Sequence, residues 1–307
     1  MSIHAIHHVT AIAGEARRNL DFYARTLGLR LVKKTVNFDD PGAYHLYFGD
    51  AAGTPGTIMT FFPWAGAPAG RSGVGEQDET TFRVPLSAIG FWTAHLLPFG
   101  AVRTEHFGQT VLSFHDPDGL PLALVGVPGI EGDPAWTGGD ISVAHAIRGF
   151  HGVRLLLEDA GATAAVLTDV FGFVADGSEG NTTRYRAPEV ALGGVVDIHA
   201  VGGFLPARQG RGSVHHLAFR ATDDADQAAM VAKLARNHGL HATEQKDRDY
   251  FRSVYFRSPG GVLFEIATDA PGFAVDEPAD ALGTALKLPA GLEPHRAQIE
   301  AVLPKVA

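Results

Sequence analysis

A chain of 307 residues, 45% hydrophobic and 19% charged, with a net charge of −9, is globular in composition and long enough for two domains, and its acidity excludes phosphate-backbone binding as its main business. It has no cysteine, which excludes disulfides and thiolate metal sites. No apolar run is long enough to span a bilayer, and the opening "MSIHAIHHVT" lacks the basic stretch and apolar core of a secretory signal, so the expectation is a cytoplasmic protein with no membrane or nucleic-acid partner.

In chain order, one pattern recurs four times. Residues 3–64 open with the strand "IHAIHHVTAI", pass through the helical "AGEARRNLDFYARTLGL" and end in further strands. Residues 80–128 repeat this around "ETTFRVP" and "LSAIGFWTAHLLPFGA", residues 147–200 around "IRGFHGVRLLL" and "EDAGATAAVLTDVFGF", and residues 212–269 around "GSVHHLAFRA" and "TDDADQAAMVAKLARNHGL". Gly28, Gly100, Gly172 and Gly239 stand where each helix should stop. Thr222 is the expected N-cap of the last helix, and the aspartates behind it suit a helix N-terminus. "FHDPDGLPLALVG" and "FRSPGGVLFEIA" read as a turn followed by an apolar strand.

Each unit is therefore βαβββ. The predicted class is α+β: four βαβββ modules forming two half-open mixed β-barrel domains with helices outside. The expected divisions are an N-terminal half (1–128), a Gly-, Pro- and Asp-rich linker (129–146), a C-terminal half (147–269) and a tail (270–307) with a closing helix in "EPHRAQIEAVLP".

The first and last units each carry adjacent histidines in an apolar strand, His7–His8 and His215–His216. Strand side chains alternate between faces, so one histidine of each pair can readily serve a common site. The final strand buries Glu265 in an apolar run, where a carboxylate needs a partner or a metal. The matching places in the other units are read as Thr60, Ala123 and Ile198, all neutral. His8, His216 and Glu265 together form the two-histidine, one-carboxylate set of non-haem Fe(II) sites, with Mn(II) and Zn(II) not separable from sequence. His4, His45, His95, His106, His115, His145, His199, His238, His241 and His295 share no pattern and are read as surface or loop residues. The "DDPG" and "DPDG" runs are read as turns. Phe61, Trp64 and Phe204 are the first guesses for a pocket wall.

The marks "HHVT" at 7–10, "VHHLAF" at 214–219, "DRDYFRSVYFRSPGGVLFEIATD" at 247–269 and "FYARTLGLRLVKKTVNFDDPGAYHLYFGD" at 22–50 resemble the vicinal oxygen chelate (glyoxalase/extradiol dioxygenase) superfamily. Within it, the chain is similar over nearly its whole length to the hydroquinone-type ring-cleaving dioxygenases. That resemblance implies Fe(II) on His8, His216 and Glu265, with an aromatic diol and O2 as the reacting partners. It implies that His7, Thr10, His215, Arg248 and Tyr255 either support the ligands or contact substrate; His215, Tyr255 and Arg248 are assigned to catalysis, and His7 and Thr10 to substrate binding. Alternation sends His7 and His215 away from the face of His8 and His216, so a local bulge is needed to bring either near substrate. In the third unit Gly152 takes the ligand position, so the site must draw on the first and fourth units, packed as a pair. A catechol-type extradiol enzyme, a glyoxalase-type lyase or isomerase, and a metal-free binding protein stay open as alternatives, as does a homo-oligomer.

Overall fold

The computed structural model describes residues 4–306; the expected boundaries at residues 1, 3 and 307 lie outside them. The first unit is β1 (Ile6–Ala13), α1 (Ala16–Leu20, continued by wider turns over Asp21–Thr26), β2 (Arg30–Asn37), β3 (Asp40–Gly49) and β4 (Ile58–Pro63). The second is β5 (Glu76–Pro85), α2 (Ile89–His95), β6 (Val102–His106), β7 (Gln109–His115) and β8 (Pro121–Val127). The third is β9 (Phe150–Leu157), α3 (Gly161–Asp169), β10 (Val174–Glu179), β11 (Thr182–Arg186) and β12 (Val195–Ala200). The fourth is β13 (Ser213–Ala221), α4 (Asp224–His238), β14 (Lys246–Asp247), β15 (Arg252–Arg257) and β16 (Leu263–Thr268), and the tail carries α5 (Arg296–Val302).

Among the described residues these strands make two eight-stranded mixed sheets, ordered β14-β15-β16-β13-β1-β4-β3-β2 and β10-β11-β12-β9-β5-β8-β7-β6. Each curls into a half-open barrel. The first and fourth units share one sheet and the second and third share the other, so each half of the chain contributes to both. The central pairs β1/β13 and β5/β9 are antiparallel, and each unit's last strand lies parallel to its first.

Alternation sorts the first sheet cleanly. Val9 and Ala11 of β1, Leu217 and Phe219 of β13, Phe264 and Ile266 of β16, and Leu46 and Phe48 of β3 join the main apolar core. The intervening residues, His8, Thr10, His216, Glu265, His45 and Tyr47, take the other, concave face. A smaller apolar cluster includes Tyr47, Ile58, Ala218, Phe251 and Phe273, and Tyr47 and Phe251 of it line the cavity on that face.

Two local expectations are corrected. The N-cap of α4 is Asp223, whose extended backbone lets its carboxylate accept the Asp226 N–H at 2.8 Å. Thr222 instead donates its N–H and hydroxyl to the Asp226 carboxylate, a reciprocal capping arrangement. The register also changes the matching of the units. β13 sets Ala218 beside Glu265, and β9 sets Arg154 beside Asp197, so Asp197, not Ile198, stands in the place of Glu265.

Candidate metal centre

Three donor atoms converge on the concave face of the first sheet. His8 Nε2 and His216 Nε2 lie 3.3 Å apart, and they stand 3.5 and 2.9 Å from Glu265 Oε2. All three side chains are buried. Cis ligands about 2.1 Å from a metal lie about 3 Å apart, so one divalent ion spans a triangle of this size.

The surroundings fit that use. Glu265 Oε1 accepts from Ser253 Oγ at 2.5 Å, while Oε2 is buried and, among the described residues, has no hydrogen-bond donor properly aimed at it. An orphaned carboxylate oxygen is costly unless a cation takes it. Burial pushes the Glu265 carboxyl up, but His8 and His216 outweigh it and hold the group well below the usual carboxylate range. Burial holds the His216 imidazole below its ordinary value against the pull of Glu265. An anionic carboxylate beside a neutral imidazole is the protonation state a metal requires.

The paired histidines share one geometry. His7 Nδ1 lies 3.0 Å from His8 Nδ1, and His215 Nδ1 lies 2.8 Å from His216 Nδ1. For His8 and His216 to offer lone pairs at Nε2, each must carry its hydrogen on Nδ1 and donate it to its neighbour. His7 and His215 thus fix the tautomer and the ring orientation of the converging pair. The register of β1 against β13 steps between Ile6 and His8, so His7 occupies a bulge. Its ring, like that of His8, packs on Phe251, with centroids 5.3 and 5.0 Å away.

A cavity of about 200 Å³ opens over the triad, and about 150 Å³ suffices for benzene. His215, Arg248 and Tyr255 line it beside His8, His216 and Glu265. Arg248 Nε donates to the Tyr255 hydroxyl at 3.4 Å, and its Nη2 reaches Asp39 at 3.1 Å across the mouth. Burial, reinforced by the charge on Glu265, raises the Tyr255 phenol above its ordinary value despite Arg248. Burial lowers the His215 imidazole to about 3, with His216 adding to the shift.

His7 and Thr10 are not among the residues that line the cavity, which favours the supporting role over direct substrate contact. His7 is spent on His8, and Thr10 is fully buried with its hydroxyl 2.9 Å from that of Thr60. Of the guessed wall residues, Trp64 lines the cavity, Phe61 belongs to the main core and Phe204 is 63% exposed. Phe62 and Phe251 supply the apolar wall instead. His4 is buried, its Nδ1 3.1 Å from the Arg220 carbonyl, so it is not a surface residue. His45 is not one either: it lines the cavity, with Nε2 2.8 Å from Thr60 Oγ1 and Nδ1 2.8 Å from the Tyr47 hydroxyl. The alternation in "AYHLYFG" carried that signal, since His45 and Tyr47 fall on the face opposite Tyr44, Leu46 and Phe48.

Comparison with known proteins bears on the fold and the family. The model of the Glyoxalase/Bleomycin resistance protein/Dioxygenase superfamily matches residues 5–124 and 149–266. MhqO of Bacillus subtilis (strain 168), named as a ring-cleaving dioxygenase, is 48% identical over 96% of this chain and 94% of its own length. The chlorohydroquinone/hydroquinone 1,2-dioxygenase of Sphingobium indicum is 33% identical over 95% of this chain and 93% of its own. A crystal structure of a B. subtilis dioxygenase superposes with a TM-score of 0.93 at 46% identity, covering 99% of this chain and 98% of that one. The chain belongs to the glyoxalase/bleomycin resistance protein/dioxygenase superfamily, and within it to the ring-cleaving dioxygenases.

Proposed function

We propose that this chain is an Fe(II)-dependent dioxygenase that opens the ring of a hydroquinone, either unsubstituted or bearing a small substituent. The observation that carries this reading is the convergence of His8, His216 and Glu265 on the floor of a one-ring cavity walled by Phe62, Trp64 and Phe251. The hydroquinone dioxygenase among the relatives supports the choice of a para-diol. Fe(II) on these three donors would supply Lewis acidity toward a diol oxygen and an electron path from the ring to O2.

The chain's own groups do the rest. Phe251 and Phe62 pack the ring and exclude water. Tyr255 stays protonated, so it donates a hydrogen bond to an oxygen at the triad. Arg248 is cationic and holds the Tyr255 oxygen in place, and its charge favours an anionic oxygen in the cavity. With its imidazole at about 3, His215 is neutral and a weak base. It therefore accepts the His216 Nδ1–H and offers its own Nε2–H, which makes it a hydrogen-bonding partner rather than a strong proton acceptor.

The test is anaerobic metal loading, with Fe(II) and Mn(II) in separate arms, followed by oxygen uptake on hydroquinone, chlorohydroquinone and catechol. Uptake with the para-diols under Fe(II), absent in His8→Ala, is the expected result. Uptake confined to catechol, or none with any diol, overturns the reading; activity confined to Mn(II) overturns the metal assignment.

A further inference from the structure

Thr10, Thr60, His45 and Tyr47 form one hydrogen-bonded row across β1, β4 and β3, with links of 2.9, 2.8 and 2.8 Å. Thr10 and Tyr47 both stand opposite Thr60 in the sheet register. With His45 neutral, the row holds four polar hydrogens for three links, so one hydrogen is left over at one end. Burial holds the His45 imidazole well below its ordinary value, with His216 and His8 adding to the shift, which keeps the ring neutral.

The direction of the row is fixed by its buried end. Thr10 is fully buried, and among the described residues its hydroxyl has Thr60 as its sole partner. Were Thr10 the acceptor, its own hydrogen would be buried and unpaired, a costly arrangement. Thr10 therefore donates to Thr60, and Thr60 gives its single hydrogen to His45 Nε2. The neutral ring then carries its hydrogen on Nδ1 and donates it to the Tyr47 oxygen. The Tyr47 hydrogen is the one left over, and Tyr47 lines the cavity.

We infer that Tyr47 is the hydrogen-bond donor for the ring oxygen that is not held at the metal centre, and that Thr10, Thr60 and His45 aim its hydrogen there. The inference rests on the proposed reaction and deepens it, because it assigns the recognition of the para oxygen. Two interstrand steps of about 4.8 Å separate β3 from β1, and Tyr47 lines the same cavity as the three donors, which sets it on the far side of a ring held at them. A donor at that place accepts a hydroxyl or ether oxygen and gains nothing from a methyl group. Tyr47 touches substrate; Thr60 and His45 act through it as positioning residues.

The test is calorimetric titration of the Fe(II)-loaded protein, without oxygen, by 4-methoxyphenol and 4-methylphenol. The first keeps a para oxygen with no hydrogen, and the second has a methyl group in its place. Wild type should prefer the methoxy compound by roughly three- to tenfold, the range of one neutral hydrogen bond. Tyr47→Phe removes the donor and Thr60→Val removes the link that aims it, so both should lose the preference. The double variant should lose no more than either, and Thr60→Ser should restore it. A preference that survives in either Tyr47→Phe or Thr60→Val overturns the inference, as does no preference, or no binding of either phenol, in wild type. Hydroquinone turnover measured alongside separates the two readings. Turnover without the preference removes the role of Tyr47 and leaves the reaction, whereas a Tyr47-dependent preference without turnover removes the reaction.

Discussion

The two sheets have the same strand order, yet among the described residues one gathers three candidate metal donors and the other does not. Their registers align position by position. The place of His216 is Gly152, the place of Glu265 is Asp197, and the place of His8 is Glu79, which faces Arg154 as His8 faces Ala218. The second sheet thus keeps two carboxylates, but it also sets arginines among them. Arg184, in the place of Tyr255, grips Asp197 with two bonds of 2.8 Å. Arg154, in the place of Ala218, binds Asp78 and lies 3.6 Å from Glu79. In the first sheet the same two places hold an uncharged phenol and a methyl group, so no fixed cation competes for Glu265. A buried acid becomes available to a metal when its neighbours leave it unneutralised. Nor can a donor simply be restored at Gly152, because a Cβ there would lie 2.2 Å from the Val195 carbonyl oxygen.

The largest contrast to break is between the two acids. Glu265→Ala should abolish metal retention and oxygen uptake while leaving the fold intact, read by metal analysis and thermal denaturation. Asp197→Ala should do the reverse. It strands the buried Arg184 guanidinium, which should cost about 3–5 kcal/mol of stability, and metal content should be unchanged in the protein that folds. Equal metal loss in both variants would sink the comparison. Next in size is the support of the ligand rings. His7→Phe keeps a ring against Phe251 but gives His8 Nδ1 no acceptor, so metal affinity should fall about 10- to 100-fold. His7→Asn keeps an acceptor near the same place and should recover most of it; equal affinity in all three proteins would show that His7 does not orient His8.

Much of this was legible in the sequence because strand periodicity is a strong signal wherever one face is apolar. The four units, the placement of His8 and His216 on one face, and the isolation of Glu265 among Leu263, Phe264 and Ile266 all follow from period two. Contacts between distant strands were less legible. Thr60 and Thr10 are 50 residues apart in sequence, and although alternation puts His45 on the face of Tyr47, nothing local says that it reaches between Thr60 and Tyr47. The bulge at His7 depends on the registry with β13. The match of Asp197 to Glu265 failed by one residue because the two glycines of "GGVVDIH" align equally well one step along. Arg248 was legible as a charge near the site, but its partner Asp39 sits 209 residues away.

The smallest effect comes from the histidine the second sheet retains. His151 matches His215 in register, and it is buried with no partner for its Nε2 among the described residues. Burial, with Arg184, Arg186 and Arg83 adding to it, lowers its imidazole to about 3. The unfolded imidazole takes up a proton near 6.5 and the folded one only near 3, so folded stability is full above 6.5 and falls as pH drops across that window. His151→Leu removes the titrating group and should gain about 1.4 kcal/mol relative to wild type at pH 5.5, beyond any difference at pH 8. Denaturant unfolding at the two pH values measures this directly. The matching change at His215 removes the acceptor of the His216 ring, so it should cost metal affinity at both pH values. A pH-dependent gain at 151 together with a metal loss at 215 would separate a histidine that merely survives in the fold from one that the proposed metal centre uses. Unchanged metal affinity in the His215 variant would mean that His215, like His151, only survives in the fold.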